Sequence, residues 1–183
     1  MNEYFIEKEI KYIGSQLSPH WIYKNFNLIG DSIVSFIGEV DVNLNEMVDI
    51  EDVINNEPIY SKKMLNFIIE RFDIPLNQML CEQRLLVCLI KEELERHNIK
   101  VTREGDDLFI DNKKLTVSIA TKSLTSCLIH TGINIESDGA PIDVSCLRDC
   151  KIANIKEFAQ NIMHAYNNEV NDIKRALCKV RGV

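Results

Sequence analysis

A lysine and a histidine on neighbouring predicted strands are the residues best placed for chemistry. Lys114 opens one strand and His130 lies within the next. A fixed ammonium stabilises negative charge that develops on a carbonyl or phosphoryl oxygen. An imidazole can act as a general base near neutral pH. The competing interpretations are a solvent-facing lysine and a structural histidine, and Lys113 replaces Lys114 if the strand register shifts by one residue.

Alternation along these two strands predicts a shared polar face. Because side chains alternate between the faces of a strand, Leu115, Val117 and Ile119 are expected to face a helix-covered core. The expected polar set comprises Lys114, Thr116, Ser118, His130, Gly132 and Asn134. The glycine in this set would let a backbone or a ligand approach closely. The pattern favours a binding concavity, and the alternative is a plain solvated surface.

A run of carboxylates precedes these strands. Its members are Asp41, Glu46, Asp49, Glu51 and Asp52. The simpler interpretation is a solvated connection, and the alternative is a Mg²⁺ site, since closely spaced carboxylates suit that ion. Three further histidines, His20, His97 and His164, have no metal-ligand spacing, so we expect no metal site.

Six cysteines indicate the compartment. They are Cys81, Cys88, Cys127, Cys146, Cys150 and Cys178. No Cys-x-x-Cys pair occurs, which argues against a zinc ribbon or a thioredoxin-type motif. The start of the chain is charged where a secretory signal would be apolar, and Leu85–Ile90 is the longest apolar run. We therefore expect a cytoplasmic protein with reduced thiols and no membrane partner.

Length and charge limit the functional classes. The chain has 183 residues, of which 45% are hydrophobic and 27% charged. This predicts one globular domain over residues 1–183. Lysine and arginine number 21 against 28 aspartates and glutamates, a net charge of −7. An acidic surface repels phosphate backbones, so we do not expect a nucleic-acid partner. Homodimerisation is left open.

Hydrophobic patterning supplies the elements that must position the candidate residues. Residues 3–50 look strand-rich, and Ser32–Val42 reads as the strongest strand. Residues 61–98 are predicted to be helical. The first of two helices there carries the apolar stripe Met64, Leu65, Phe67, Ile68 and Phe72. The second begins near Pro75 and ends near His97.

The C-terminal half completes the predicted fold. Residues 99–136 are expected to form an antiparallel meander of three or four strands, followed by an irregular segment, Glu136–Lys151. Ile155–Lys179 reads as a long amphipathic helix capped at Asn154. Together these elements predict an α+β domain in which a largely antiparallel sheet has its helices packed on one face.

Three segments of the predicted meander form a recognisable series, and they are Asp106-Asp107-Leu108, Lys114-Leu115 and His130-Thr131-Gly132-Ile133-Asn134-Ile135. The series resembles the core of biotin and lipoate protein ligases and octanoyltransferases. Those families have an Asn-Asp-(Ile/Leu) turn, a strand that opens with Lys-(Ile/Leu), and a strand that ends in Gly-…-Asn-(Val/Ile). The whole chain also resembles an uncharacterised family of archaea and some anaerobic bacteria. The segments of this chain that carry this second resemblance are Gly14–Ser18, Gly30-Asp31-Ser32, Met47–Val53, Gln83–Leu86 and Lys179–Val183.

The ligase resemblance implies roles for the candidate residues and a fold similar to class II synthetases. Lys114 would contact the acyl carbonyl and a phosphate, and Asp106 or Asp107 would bind substrate or position that lysine. Pocket-lining residues would include Thr116, Ser118, His130, Gly132 and Asn134. In octanoyltransferases a downstream cysteine carries the acyl group as a thioester. Cys146 lies near that position, and Cys150 is a second candidate.

Departures from the ligase pattern limit the cofactors. Val117 replaces a usual glycine, no Gly-Arg-Gly-x-x-Gly-type loop precedes the helices, and no accessory domain is expected. We therefore do not expect ATP-driven adenylation, and the sequence identifies no cofactor. The predicted function is acyl or related group transfer on a small carboxylic-acid-like substrate. The alternative is a non-catalytic small-molecule or nucleotide-binding module on the same scaffold.

Overall fold

The computed structural model describes residues 1–138 and 143–182. The strands are β1 (Asn2–Ile6), β2 (Ser32–Val42), β3 (Ile59–Phe72), β4 (Thr102–Glu104), β5 (Asp107–Ile110), β6 (Lys113–Lys114), β7 (Thr116–Lys122) and β8 (Ser126–Asn134). The helices are α1 (Trp21–Phe26), α2 (Ile50–Asn55), α3 (Leu76–Arg96) and α4 (Ile155–Lys179), with a 3₁₀ turn at Leu44–Glu46. Gly139 and Pro141 of the predicted irregular segment lie outside the described residues.

The main sheet has five strands in the order β1-β2-β3-β8-β7. Its strands pair antiparallel except β1, which runs parallel to β2. The α+β prediction is confirmed, with this one parallel pair added. The predicted meander is divided between two sheets, because β4, β5 and β6 form a small sheet of their own. Leu115 separates β6 from β7, so Lys114 lies where the chain passes between the sheets.

The predicted helix at the start of residues 61–98 is wrong, since this segment is strand β3. β3 lies between β2 and β8 at the centre of the main sheet, and Met64–Arg71 is buried throughout. A strand covered on both faces reads as a continuous apolar run, and such a run has the same residue types as a buried helix. The second predicted helix is confirmed as α3.

Helices α3 and α4 cover one face of the main sheet. The packed side chains include Leu65, Phe67, Ile129 and Ile133 from the sheet, Leu86 and Ile90 from α3, and Phe158 and Ile162 from α4. The bounds predicted for α4 are confirmed. Its N-terminal cap is Asn154, whose side-chain oxygen accepts a hydrogen bond from the Glu157 amide at 3.1 Å.

The N-terminal segment covers the opposite face of the sheet. Tyr12 and Ile22 pack there with β2 and β3, so that face is a second core rather than a solvated surface. Residues 10–12 cross β2 closely, with the Ile10 amide donating to the Ile37 carbonyl at 3.0 Å. A Cβ at Gly38 would lie 1.9 Å from the Ile10 carbonyl oxygen, so this crossing requires glycine.

Among the described residues, no helix combines the length and the apolarity that a membrane crossing requires.

Candidate functional site

A cavity of about 410 Å³ opens on this second face, beside the ends of β7 and β8. Sheet residues such as Met64, Val117 and His130 line it together with Tyr12. The connection between β2 and β3, including Asp52, contributes another part of the lining. A volume of this size falls in the range of roughly 300–1,000 Å³ that small-molecule sites occupy.

Lys114 is the single lysine or arginine among the described residues that line the cavity. Its ammonium Nζ lies 2.9 Å from Asp107 Oδ2. Its backbone is held on both sides, because Lys114 pairs with Phe109 of β5 and its carbonyl accepts from the Ser145 amide at 3.0 Å. Lys113, the register alternative, instead pairs with Asp143 at 2.9 Å and is outside the described lining.

The two predicted aspartates have different partners. Asp107 is half-buried, and this burial raises the pKa of its carboxyl while the neighbouring Lys114 ammonium opposes the rise. Asp106 accepts hydrogen bonds from Arg84 at 2.6 Å and from Gln83 at 2.8 Å, both on α3. Asp107 therefore positions Lys114, whereas Asp106 ties the turn before β5 to the helix.

The prediction of one shared polar face on β7 and β8 is wrong in register. Directly opposed residues of an antiparallel pair share a face, and Thr116 pairs with Ile133 while Ser118 pairs with Thr131. Thr116 and Ser118 thus lie on the helix-covered side of the sheet, although both also border the cavity at its edge. Their hydroxyls serve internal contacts: Thr116 Oγ1 accepts from the Leu108 amide at 2.9 Å, and Ser118 Oγ accepts from Gln83 Nε2 at 3.0 Å.

The opposite face of β8 carries the other half of the predicted polar set. His130 and Gly132 pair with Ile119 and Val117 of β7, so these two apolar residues lie on the cavity side and not in the helix-covered core. Gly132 leaves no room for a ligand, because a Cβ there would lie 2.9 Å from Met64 Sδ and 3.2 Å from Val117 Cγ2. The sequence pattern therefore predicts the wrong face for Val117 and Ile119 of β7.

His130 is buried and neutral. Its ring stacks on Tyr12 with centroids 3.8 Å apart, and its Nε2 lies 2.9 Å from Asn66 Oδ1. Burial lowers the pKa of the imidazole to about 3. The general-base role predicted for His130 requires proton uptake near neutral pH, which this environment opposes.

Two buried polar side chains of the lining have no hydrogen-bond partner among the described residues. They are the side-chain amide of Asn134, a residue that is 6% exposed, and the hydroxyl of Tyr12, a residue that is 4% exposed. Burial also raises the pKa of the Tyr12 hydroxyl. The backbone of Asn134 is fixed on both sides, since its amide donates to Leu115 and its carbonyl accepts from Leu147. Neither group has a polar atom that is both sealed from solvent and unpartnered, so both are accessible from the cavity and can hydrogen-bond to a ligand there.

Cys146 lies apart from the described cavity lining. It is fully buried, at 0% exposed, and its Sγ donates to Asp149 Oδ2 at 3.2 Å. Cys150 is half-buried, and this burial raises the pKa of its thiol. Among the described residues, the cavity lining contains neither of these cysteines, nor Gly132. It contains the other predicted site residues, which are Asp106, Asp107, Lys114, Thr116, Ser118, His130 and Asn134.

A metal centre receives no support from the part of the chain that the structure describes. No group of three or more histidine, cysteine, aspartate or glutamate side chains is arranged to hold an ion within residues 1–138 and 143–182. The carboxylates of residues 46–52 face the cavity or solvent separately, and Asp49 caps α2 by accepting from the Glu51 amide at 2.9 Å.

Comparison with known proteins identifies the family. The family model described as a domain of unknown function (DUF366) matches residues 1–181. The chain belongs to this family. A relative is the uncharacterized protein MJ0805 of Methanocaldococcus jannaschii, 38% identical over 98% of this chain and 84% of the relative.

Solved structures extend the comparison to the fold. A protein of unknown function from Pyrococcus horikoshi has a TM-score of 0.95 and 35% identity, over 100% of this chain and 98% of that one. A biotin protein ligase variant from Aquifex aeolicus in complex with biotin has a TM-score of 0.63, 14% identity, and coverage of 96% and 72%. The bipartite lipoate protein ligase of Thermoplasma acidophilum has a TM-score of 0.58 and 14% identity, over 92% of this chain and 82% of that one. This DUF366 protein therefore shares the ligase fold.

Sequence reasoning missed much of the cavity lining, including two polar residues that matter for its chemistry, Tyr12 and Asp52. Tyr12 follows an irregular segment, and no local signal shows that residues 10–12 cross the sheet. Asp52 was noted within the acidic run but without a position in the site. Its side chain lies close enough to Lys114 and Asp107 for their charges to act on it. In both cases the missing information is a long-range contact.

Proposed function

We propose that this DUF366 protein is an enzyme that catalyses acyl or related group transfer on a small carboxylic-acid-like substrate bound in the cavity. The observation that carries the proposal is Lys114, an ammonium held at the cavity wall by Asp107 at 2.9 Å. The protein shares its fold with ligases, one of which is described in complex with biotin.

Lys114 supplies the charge that this chemistry needs. The acyl donor is an ester or thioester. The acceptor's nucleophile forms a bond to the acyl carbon, negative charge develops on the carbonyl oxygen, and the donor's alcohol or thiol leaves with the proton that the nucleophile gives up. A lysine fixed in place stabilises that charge without reorganising during the reaction. It also orients the substrate, which lowers the entropic cost of reaching the reacting geometry. Asn134 and Tyr12, with their unpaired polar groups, would bind other atoms of the same substrate.

The remaining predicted residues have narrower roles in this proposal. His130 lines the cavity as a neutral group, and Thr116, Ser118 and Gly132 support the strands around it. Cys146 as a thioester carrier stays a prediction, and its burial requires the surrounding segment to open before an acyl donor could reach the sulfur. The cytoplasmic setting is also a proposal, supported by six cysteines that form no disulfide.

The alternative function is a non-catalytic module that binds a small molecule or nucleotide. It is favoured by the burial of Cys146 and the neutral state of His130, which argue against the predicted thiol as nucleophile and the predicted imidazole as base. The two functions share the cavity and differ in turnover.

The chromogenic acyl donor p-nitrophenyl octanoate separates the two functions. We expect release of p-nitrophenol to fall by about 10²-fold in Lys114→Ala, the usual effect of removing one oxyanion donor. Lys113→Ala is the matched control, because Lys113 is the adjacent lysine and is paired outside the cavity. In the same assay, Cys146→Ser reports whether the thiol takes part.

Three outcomes are informative. Loss of turnover in Lys114→Ala but not in Lys113→Ala supports the transferase. Stabilisation of the wild type by octanoate without any turnover supports the binding module. Equal rates for the wild type and Lys114→Ala contradict the proposed role of Lys114.

A further inference from the structure

The cavity carries more negative charge than its lysine can balance. Asp107 already matches the charge of Lys114 in a 2.9 Å ion pair. The described lining holds six further carboxylates, Glu46, Asp49, Glu51, Asp52, Glu57 and Asp106. A substrate that carried only negative charge would be repelled by this wall. The excess of negative charge in the cavity lining therefore favours a ligand that carries a positive charge.

Asp52 is the carboxylate best placed to meet that charge. It is half-buried, and its side chain makes no ion pair or hydrogen bond with the described residues. Two neighbouring carboxylates have other partners, since Asp49 caps α2 and Asp106 is held by Arg84. The remaining lining carboxylates are exposed, unlike Asp52, and they are Glu46, Glu51 and Glu57. Burial and the charges of Asp49, Glu57 and Asp107 raise the pKa of Asp52, while Lys114 lowers it. A cation from the ligand would relieve this repulsion.

The unpaired polar groups of Asn134 and Tyr12 give independent evidence for a ligand. Both residues are more than nine-tenths buried, line the cavity, and lack a side-chain partner among the described residues. Within the described part of the chain, the side-chain polar atoms that are sealed from solvent and lack a hydrogen-bond partner are Ser35 Oγ and Arg71 Nε, so the polar atoms of Asn134 and Tyr12 are instead accessible from the cavity. An organic ligand with hydrogen-bonding atoms satisfies them, whereas a bare metal ion would satisfy only oxygens.

An organic cation fits these observations better than a metal ion. Within the described residues, the carboxylates do not converge in a group of three that could coordinate an ion. The aromatic ring of Tyr12 and the apolar side chains of Met64 and Val117 lie in the same lining. A protonated amine on a carbon skeleton matches such a mixed surface, because its ammonium can approach a single carboxylate while its chain contacts apolar groups.

We propose that the substrate of this site bears a protonated amine that binds beside Asp52, in addition to the oxygen that meets Lys114. The substrate class is thus a small amino carboxylic acid or its acyl derivative. The part of this proposal that places a substrate oxygen at Lys114 rests on the proposed function. The part that places an amine at the site rests on Asp52, Asn134 and Tyr12.

Matched probes of one chain length test the two halves separately. 8-Aminooctanoate carries both groups, octanoate only the carboxylate, and octylamine only the amine. Dissociation constants are measured by calorimetry for the wild type, Asp52→Asn, Lys114→Ala and Asp111→Asn. Asp111→Asn is the control, because it removes the same charge from an exposed turn outside the described lining.

We expect 8-aminooctanoate to bind the wild type at least about tenfold more tightly than octanoate, the effect of one charged hydrogen bond. Asp52→Asn should remove this preference, and Asp111→Asn should keep it. Octylamine should bind equally well or better in Lys114→Ala, because that variant loses a repelling charge. Octanoate should bind less well in Lys114→Ala if the proposed function is correct.

The two proposals fail on different observations. Octanoate binding that equals 8-aminooctanoate binding, or a preference that Asp52→Asn keeps, overturns the amine site. Failure of all amine probes to bind at millimolar concentration also overturns it, as does stabilisation by MgCl₂ alone that Asp52→Asn abolishes. Carboxylate affinity that Lys114→Ala leaves unchanged overturns the role of Lys114 and leaves the amine site standing.

Discussion

His130 illustrates how burial decides what a titratable residue can contribute at this site. Its imidazole is 3% exposed, stacks on Tyr12, and lies 2.9 Å from Asn66 Oδ1. The folded protein holds the pKa of His130 at about 3, against 6.5 for an unburied histidine. The residue therefore links folding to pH rather than supplying a base at neutral pH.

Because of His130, the free energy of unfolding should decrease as the pH is lowered. Below pH 6.5 the unfolded state binds a proton that the folded state refuses until about pH 3. The stabilisation is thus complete above pH 6.5 and is lost as the pH falls toward 3. We expect the loss between pH 6.5 and 5 to be larger in the wild type than in His130→Gln by roughly 1.5 kcal/mol, measured by urea unfolding.

Val117→Ala provides the control for this measurement, because Val117 lies on the same face of the sheet as His130 and carries no titratable group. This variant should keep the wild-type dependence on pH. Equal slopes in the wild type and His130→Gln would show that the imidazole is not held neutral by burial.

The sequence predicted some residues of the site and not their surroundings. Lys114 could be located from a motif, since a lysine that opens a strand after an acidic turn is a local pattern. The positions of the Thr116 and Ser118 side chains could not be predicted in this way, because the face on which they lie depends on the register between β7 and β8. Likewise, the isolation of Cys146 depends on contacts with distant segments.

At the scale of elements, strands β2, β3 and β8 place the cavity by being covered on both faces. Ser32–Val42 was predicted with its observed bounds because its β-branched residues lie between clear turn signals. The sequence pattern of β3 predicts a helix instead, because a strand buried on both faces lacks the alternation of apolar and polar residues. The crossing of residues 10–12 over β2, which delivers Tyr12, left no periodic signal at all.

That crossing predicts a large difference between two glycines. Gly38→Ala places a Cβ 1.9 Å from a backbone oxygen, which cannot move without shifting the segment that carries Tyr12. Gly132→Ala meets the flexible end of Met64 at 2.9 Å. We expect Gly38→Ala to lower the free energy of unfolding by roughly 1–3 kcal/mol and Gly132→Ala by less. Urea unfolding measures both.

The baseline for this comparison is Gly182→Ala, since nothing lies within 4 Å of a Cβ added there. Gly38→Ala should also weaken binding of the octanoate probe, because Tyr12 lines the cavity. A greater loss of stability in Gly132→Ala than in Gly38→Ala would contradict the account of the crossing.

At the scale of the whole molecule, a buried ionic network joins the sheet to both long helices. Arg71 of β3 and Glu82 of α3 are 2% and 5% exposed, and Arg71 Nη1 lies 2.7 Å from Glu82 Oε2. Tyr166 of α4 donates its hydroxyl to the same oxygen at 2.8 Å. Arg71 Nε lies 3.1 Å from Asp31, in an ion pair not aligned as a hydrogen bond. The network fixes the layer that supports the cavity from behind.

Breaking this network should cost more than any single change at the cavity. Glu82→Gln leaves the buried Arg71 charge without its main partner, and we expect a loss of about 3 kcal/mol in the free energy of unfolding. Tyr166→Phe removes one hydrogen bond to a charged group and should cost about 1.5 kcal/mol. Because both act on one carboxylate oxygen, the double variant should lose less than the sum. Strictly additive losses in urea unfolding would show that the two contacts act independently, and the layers would then not be coupled through Glu82.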